Sequence, residues 1–179
     1  WYDKAQAVKR MSDSLYDYVE QLRWAIAREA DGAKGNPGEI RNKEDLEAAG
    51  HIMLAPVKGQ GHLLYERVNS FRGRILSFVT DARQRAIIES NLSTAVPRKE
   101  DNIGKSWEEY MFESMPSIAA VTMLSKLQSD VRGAESVVLH SLRANIDLKD
   151  IRVNELNAYV LPEATTLYPG DNFRSRIFM

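Results

Sequence analysis

The feature that most constrains this chain is a long apolar seam in its second half. Its members recur at alternating spacings of four and three residues: Ala120, Leu124, Leu127, Val131, Ala134 and Val138. This spacing places them on one face of a helix, and such a face has to be buried against other helices. The seam therefore predicts a helical bundle, with a helix that continues to about Ile146.

Two helix-start signals precede the seam. Ser106 followed three residues later by Glu109 fits a capping box, in which each side chain satisfies a backbone N–H of the other residue. Pro116 fits the first turn of a new helix, where the missing N–H of proline has no partner to lose. An apolar anchor lies between the two signals: Trp107, Tyr110, Met111 and Phe112.

Two earlier segments have the same periodicity. The first predicts a helix over residues 4–30, with a stripe formed by Val8, Met11, Leu15, Tyr18, Leu22 and Ala25. The second predicts one continuous helix over residues 62–89, with a stripe formed by Leu64, Val68, Phe71, Ile75, Phe78 and Ala82. Three helices of about 28 to 30 residues, each about 42–45 Å long, predict an elongated antiparallel bundle.

The connecting segments are polar. Residues 31–38 hold three glycines and an Asn-Pro pair, which indicates a loop. A short helix is predicted over residues 43–49, capped by Asn42 and stopped by Gly50. Residues 91–105 are predicted to be a connector without a long helix.

The period changes to two residues at about Val153. Leu156, Ala158 and Val160 alternate with their neighbours, and Pro169-Gly170 then fits a type II turn before a second alternating run. Two strands alone do not make a stable sheet. We therefore expect a helical bundle domain over residues 1–152 and the first strands of an incomplete β-sandwich-like domain over residues 153–179.

Composition excludes several classes of protein. Positive charges (24) and negative charges (25) nearly cancel, so the chain has no general attraction to nucleic acid or to an anionic membrane. The absence of cysteine excludes disulfides, thiolate metal sites and cysteine nucleophiles. Because the chain starts at Trp1 and helical periodicity begins at once, we expect it to be a piece of a larger protein.

The residues that could bind a metal or a phosphate show no matching pattern. None of His51, His62 and His140 lies in the Glu-x-x-His pattern of di-iron bundles, so we predict no metal site. Residues 58–62 (K-G-Q-G-H) lack the strand, the third glycine and the Lys-Ser/Thr pair of a phosphate loop. They predict a flexible turn, and we expect no cofactor.

Three clusters each have two interpretations. The arginines of the second predicted helix form either a solvated face, which we favour, or a basic partner-binding strip; they are Arg72, Arg74, Arg83 and Arg85. The acids Glu108, Glu109 and Glu113 lie close together without a nucleophile–base pair, so helix capping is favoured over catalysis. The aromatic residues Trp107, Tyr110 and Phe112 form either core, which is favoured, or an exposed partner-binding patch.

The run W-E-E-Y-M-F-E-S-M-P, followed by A-A-V-T-M-L-S-K-L-Q-S-D-V-R-G-A-E, resembles the N-terminal periplasmic domain of the GldM/PorM family of gliding-motility and type IX secretion proteins. The matching residues also include Glu108, Ala119 and Leu124. We take eight matching residues as a structural family signature: Trp107, Phe112, Pro116, Thr122, Leu127, Gln128, Asp130 and Glu135. The tail, A-Y-V-L-P through P-G-D-N-F, resembles the family's transition into its next domain.

The resemblance implies a non-enzymatic periplasmic shaft domain, anchored in the inner membrane by an upstream helix that is not in this chain. It implies a homodimer, a PorL/GldL-type inner-membrane partner and a PorK–PorN-type periplasmic ring, with no nucleic acid and no small-molecule substrate. Such a shaft transmits force or position from the membrane motor toward the ring. The alternative is a helical-bundle sensory domain of a membrane receptor, which predicts a ligand pocket with convergent polar groups between the long helices.

Overall fold

The computed structural model describes residues 2–57, 59–149, 159–162 and 175–178, with side chains described up to residue 144. Its elements are α1 (Tyr2–Asp31), α2 (Ala48–Met53), α3 (Gly61–Leu76), α4 (Ala82–Asn91), α5 (Trp107–Phe112), α6 (Ser117–Lys149), β1 (Tyr159–Pro162) and β2 (Ser175–Phe178). Single turns of 3₁₀ helix lie at Gly32–Lys34 and Glu100–Asn102. The chain divides into two compact units, residues 1–144 and 145–179. The helical bundle predicted from the seams is confirmed in the first unit.

The two outer helices closely follow the sequence pattern. α1 covers the predicted segment 4–30 with a few residues more, and α6 extends three residues beyond Ile146. The core of the first unit is built from their stripes together with that of α3, and its members with the least exposure include Val8, Val19, Ile26, Leu64, Ile75, Phe112, Val131 and Val138. No helix within the described ranges has the length and apolar character needed to cross a membrane.

The prediction of one helix over residues 62–89 is wrong, because α3 ends at Leu76 and α4 begins at Ala82. Arg85 stabilises the break by donating hydrogen bonds to the carbonyl oxygens of Leu76 (2.6 Å) and Val79 (3.0 Å). The Asp81 carboxylate then caps α4 by accepting the backbone N–H of Gln84 at 2.8 Å. The bundle therefore has two long helices, α1 and α6, instead of three.

The prediction of a short helix over residues 43–49 is also wrong. α2 begins at Ala48 and runs through Gly50, the residue expected to stop it. The Asp45 carboxylate accepts the backbone N–H groups of Glu47 and Ala48, both at 2.8 Å, so the start signal lies three residues later than predicted. Asn42 does not cap the helix, and its side-chain amide donates to Asp45 instead.

The loop after α1 is held against the end of that helix. The Asp31 carboxylate accepts the backbone N–H groups of Arg41 (2.7 Å) and Asn42 (2.8 Å). Gly35 lies so close to α1 that an added Cβ would be 2.0 Å from the carbonyl oxygen of Ala27. Any larger residue at position 35 would therefore push the loop away from the helix.

In the second unit, β1 and β2 form an antiparallel pair, with Tyr159 opposite Phe178 and Pro162 opposite Ser175. This agrees with the two strand signals in the sequence. The predicted Pro169-Gly170 turn and the change of period at Val153 lie outside the described residues. The β-sandwich-like domain therefore remains a prediction.

The break between α3 and α4 can be tested at its cap. Asp81→Ala removes the acceptor for the Gln84 N–H and is expected to lower the free energy of unfolding by about 1 kcal/mol. Asp81→Asn keeps a capping oxygen and is expected to change it by only a few tenths of that amount. Urea denaturation of the three proteins measures both values, and equal stability of the alanine and asparagine variants would contradict the capping role.

Candidate functional site

The turn into α5 is built by the predicted capping box, which the structure confirms. The Ser106 backbone N–H donates to the Glu109 carboxylate at 2.7 Å, and the Glu109 N–H donates to the Ser106 hydroxyl at 3.3 Å. The cap fixes the start of the helix, and Trp107 is its first residue. The direction of the Trp107 side chain is thus set by a local hydrogen-bond pair.

Trp107 and Phe112 are core residues, as the favoured interpretation predicted. Trp107 is 8% exposed and Phe112 is fully buried, and their rings meet edge to face at a centroid distance of 6.2 Å. Tyr65 of α3 lies 6.0 Å from the Trp107 ring. We call Tyr65, Trp107 and Phe112 the aromatic corner, and it joins α5 to α3. Tyr110 is 37% exposed and lies outside this corner, so the prediction of a core position is wrong for this residue.

The start of α6 is held by a segment far away in the sequence. Pro116 directly precedes α6, and its carbonyl oxygen accepts the backbone N–H of Ala120 at 3.0 Å. The first N–H groups of α6 donate to backbone carbonyls of the α1–α2 loop, Ser117 to Asp45 at 2.8 Å and Ile118 to Lys43 at 3.2 Å. These carbonyls satisfy donors that a helix start otherwise leaves without partners. Nothing in the local sequence indicated that contact.

Gln128 is the most connected residue between the long helices. It is buried, and its amide nitrogen donates to the Glu20 carboxylate (2.9 Å) and to the Tyr16 carbonyl (3.2 Å) of α1. Its amide oxygen accepts from the Arg23 guanidinium at 3.1 Å. Arg23 also donates to Glu20 at 2.6 Å, so the three side chains form one closed network.

A second link lies further along α6. Arg132 donates from one guanidinium nitrogen to Asp13 of α1 and to Glu135 of its own helix, both at 2.7 Å. The guanidinium carbon also lies 4.5 Å from the centroid of the Tyr16 ring. Later residues of α6 thus pair with earlier residues of α1, so the two helices run antiparallel where they are linked.

We call the six linking side chains the polar layer: Asp13, Glu20 and Arg23 of α1, and Gln128, Arg132 and Glu135 of α6. Two of them, Gln128 and Glu135, belong to the signature taken from the sequence. The three α1 members of the layer were missed, because no local pattern marks a charged residue as the partner of a distant helix. The Arg23 Nε is the one side-chain atom of the layer that is buried without a hydrogen-bond partner among the described residues.

The polar layer favours the ionised form of Asp13 and of Glu20. Hydrogen bonds from Lys9 and then from Arg132 hold the pKa of Asp13 below its usual value. Burial acts to raise the pKa of Glu20, but hydrogen bonds from Gln128 and Arg23 outweigh it, and the net shift is downward. Glu135 and then Asp13 raise the pKa of Arg132, which therefore stays charged.

The other signature residues are not part of the layer. Thr122 is exposed, and its hydroxyl donates to the Ile118 carbonyl of its own helix at 2.7 Å. Asp130 pairs with Lys126 at 2.6 Å on the same helix. Leu127 is half-buried and lines a cleft of about 300 Å³ beside Trp107. The structural role of the signature as a set remains a prediction.

Most residues considered for metal binding and catalysis form separate pairs or caps and do not share one site. His51 lies 3.0 Å from Glu29, and His62 lies 3.3 Å from Glu108. The three acids considered for catalysis are divided, since Glu108 faces His62, Glu109 caps α5 and Glu113 pairs with Lys105. Across the described part of the chain, no group of three potential ligands could hold a metal ion. His140 is exposed.

The glycines of residues 58–62 serve close packing. An added Cβ at Gly61, the first residue of α3, would lie 2.7 Å from the Cβ of Glu108 in α5. Gly59 is equally constrained, because its Cβ would lie 2.5 Å from the carbonyl oxygen of Ala55. Gly61 therefore allows α3 and α5 to approach each other, whereas Gly59 allows the turn after α2 to pack closely on itself. Lys58 lies outside the described residues.

The four arginines of the predicted strip do not act together. Arg72 donates to the Leu92 carbonyl at 2.9 Å, and Arg85 holds the break between α3 and α4. These two side chains tie α3 to the segment that follows it. Arg74 and Arg83 are exposed on different helices.

Together these features define a helical-bundle domain whose distinctive side chains join one helix to another. The model of the GldM N-terminal domain family matches residues 1–145, so the chain belongs to that family. No curated protein matches the chain. The match confirms the resemblance found in the sequence and identifies the chain as part of a gliding-motility or type IX secretion protein.

Membership of the family also bears on the expectations about enzymatic activity, location and a sensory role. Its members are structural, motor-associated components of a gliding or type IX secretion complex and are not known as enzymes. They are anchored in a membrane and carry a periplasmic domain. The sensory alternative gains no support from the match. In the cleft beside Trp107, the charged residues Lys126 and Asp130 already pair with each other.

The aromatic corner can be tested by truncation. Trp107→Ala removes a buried ring and is expected to lower the free energy of unfolding by about 3–5 kcal/mol. Tyr110→Ala on the same helix removes a half-exposed ring and is expected to cost less than about 1 kcal/mol. Urea denaturation measures both. An unchanged unfolding midpoint for Trp107→Ala, with weakened self-association, would place the ring at an interface instead.

The polar layer predicts a pH dependence of stability. Asp13 and Glu20 have lower pKa values in the folded chain than the values of about 3.9 and 4.3 expected after unfolding. Their contribution is therefore complete above about pH 5 and is lost as the pH falls through the folded pKa values. Urea midpoints between about pH 7 and pH 3 measure this loss. The variant Asp13→Asn/Glu20→Gln is expected to be less stable than wild type at pH 7, and its stability is expected to fall less on acidification. An equal fall in stability for both proteins would contradict a contribution from these two carboxylates.

Proposed function

We propose that this chain is the first periplasmic section of a shaft in the type IX secretion motor. In this role it is non-enzymatic and transmits force or position from the membrane motor toward the outer-membrane-associated ring. The observation that carries the proposal is the polar layer, which couples the two longest helices of the structure. The secretion member of the family, PorM, is the model that we take for this role.

A shaft has to resist sliding between its helices. Apolar contacts are non-directional, so they oppose separation more strongly than sliding. Charge-assisted hydrogen bonds are short and directional, and a shift of one residue, about 1.5 Å along a helix, would break them. The bonds of Gln128 and Arg132 to α1 are of this kind. They support the transmission of a displacement from one helix to the other.

The helix lengths support the same role. α1 has 30 residues and α6 has 33, which correspond to about 45 Å and about 50 Å of helix. Within the proposal they form an elongated antiparallel bundle over residues 1–152. Residues 153–179 begin the next, β-type domain, so successive domains can continue the shaft.

Membership of the family supports the proposed assembly. The complete protein forms a homodimer in the periplasm and is held in the inner membrane by a helix upstream of this chain. That helix pairs with a PorL/GldL-type partner, and more distal domains meet a PorK–PorN-type ring. The proposed role needs no cofactor, nucleic acid or small-molecule substrate.

The test loosens the polar layer in the complete protein inside cells. Gln128→Ala/Arg132→Ala is expected to leave the complex assembled and to reduce type IX secretion several-fold, because the two helices no longer move as one body. Amide hydrogen exchange in α1 verifies the loosening, and co-purification of the inner-membrane partner verifies assembly. Thr122→Ala/Lys126→Ala changes exposed residues of the same helix and is the matched control.

The outcomes are distinct. Reduced secretion with normal assembly supports transmission through this domain. Full secretion despite faster amide exchange in α1 would overturn the force-transmitting role, and loss of the complex would assign the polar layer to assembly instead.

A further inference from the structure

A second feature of the first unit has no part in the shaft proposal. A cleft of about 490 Å³ lies between α1 and α3. Its floor is apolar and is formed by Met11, Leu15 and Phe71. Its sides carry basic side chains from both helices: Arg10 from α1, and Arg67 and Arg74 from α3. We call it the arginine cleft. No acidic residue of the described part of the chain lines it.

Among the described residues, the three arginines have no carboxylate partner. Within the described part of the chain, the side chains of Arg10 and Arg74 make no hydrogen bond or ion pair. Arg67 places its guanidinium 4.0 Å from the centroid of the Tyr18 ring, a contact that leaves its N–H donors available. By contrast, Arg23 and Arg132 of the polar layer are both paired with acids.

The acids that flank the three arginines in the sequences of α1 and α3 do not line the cleft. Asp13 is engaged by Lys9 and Arg132, and Glu66 faces His62 at 3.5 Å. Asp17 lies further along α1 and forms no ion pair with any of the three arginines. Three like charges around one concave surface produce a local positive potential, although the whole chain has a net charge of −1.

The spacing of the arginines indicates which kind of ligand fits the cleft. Guanidinium groups bind carboxylates through two parallel hydrogen bonds. Arg67 and Arg74 are seven residues apart, so their positions on α3 are separated by two turns, or about 10 Å. Two acids in a partner helix with the same spacing can reach both arginines, while an apolar side chain between them covers the floor at Phe71. The hydroxyls of Ser14 and Ser70 add hydrogen-bonding groups at the rim.

We propose that the arginine cleft is a docking site for an acidic segment of a partner protein, which carries at least two carboxylates beside an apolar side chain. A lipid headgroup offers the same kind of charge, but a bilayer presents it on a broad surface that does not enter a cleft between two helices. A protruding segment of a protein can enter the cleft and place an apolar side chain against its floor. This inference is independent of force transmission, since it assigns a binding surface on a different helix pair.

The test uses the 179-residue chain and a labelled helical peptide with two glutamates seven residues apart and leucines between them. Fluorescence anisotropy at low salt measures binding. The cleft variant Arg10→Gln/Arg74→Gln removes two guanidinium groups that make no bond within the fold, so we expect normal melting. The control Arg83→Gln/Arg98→Gln causes the same change in net charge at two exposed arginines outside the cleft.

Wild type and control are expected to bind the peptide. The cleft variant is expected to bind it several-fold more weakly, because it loses the ion pair at Arg74 and the positive potential that Arg10 contributes. A peptide with glutamines in place of the glutamates is expected to bind as weakly to wild type. Equal binding by the two double variants, or no binding by wild type, would overturn the proposal. Arginine-dependent binding to phosphatidylglycerol vesicles without binding to the peptide would also overturn it, in favour of a membrane site.

Discussion

The structure depends on how one buried amide, that of Gln128, is satisfied. A buried amide without partners destabilises a fold by about 1–3 kcal/mol, so the helix that carries it has to meet matching groups. Glu20, Arg23 and the Tyr16 carbonyl of α1 supply them. Because these bonds are directional, they select one antiparallel alignment of α1 and α6 from the several that the apolar seams would allow.

Contacts at the start of α6 and at α5 also stabilise the bundle. Backbone carbonyls at Lys43 and Asp45 hold the first turn of α6, and the capping box of α5 directs Trp107 into the core beside Phe112. The first of these contacts joins segments that are distant in the sequence, and the second places Trp107 against Tyr65 of α3. A domain built in this way is suited to keeping its helices in a constant relation, and its family belongs to a machine that secretes proteins or moves cells. The arginine cleft lies apart from these contacts, and its charges are directed outward.

Sequence reasoning succeeded where the structure follows from local rules. The capping box at Ser106 and the extents of α1 and α6 depend on side chains a few residues apart, and each was predicted. The break after Leu76 was missed because the apolar pattern continues across it, with both Val79 and Ile88 buried. The helix start near Asp45 was placed too early because Asn42 was taken as the capping residue. Asn42 has a good capping side chain, but its carbonyl accepts the hydroxyl of Ser117 and its amide donates to Asp45.

By itself, the sequence determined the helical class, the two long helices, the core position of Trp107 and the family, because periodicity, capping and motif are all written in neighbouring residues. Only the tertiary structure decided which charged residues would meet. Asp13, Glu20 and Arg132 look like ordinary surface charges in the sequence, as do Arg10 and Arg74. Packing paired the first three and left the last two without acids, because the partner of a charged side chain is set by the helix that lies opposite it.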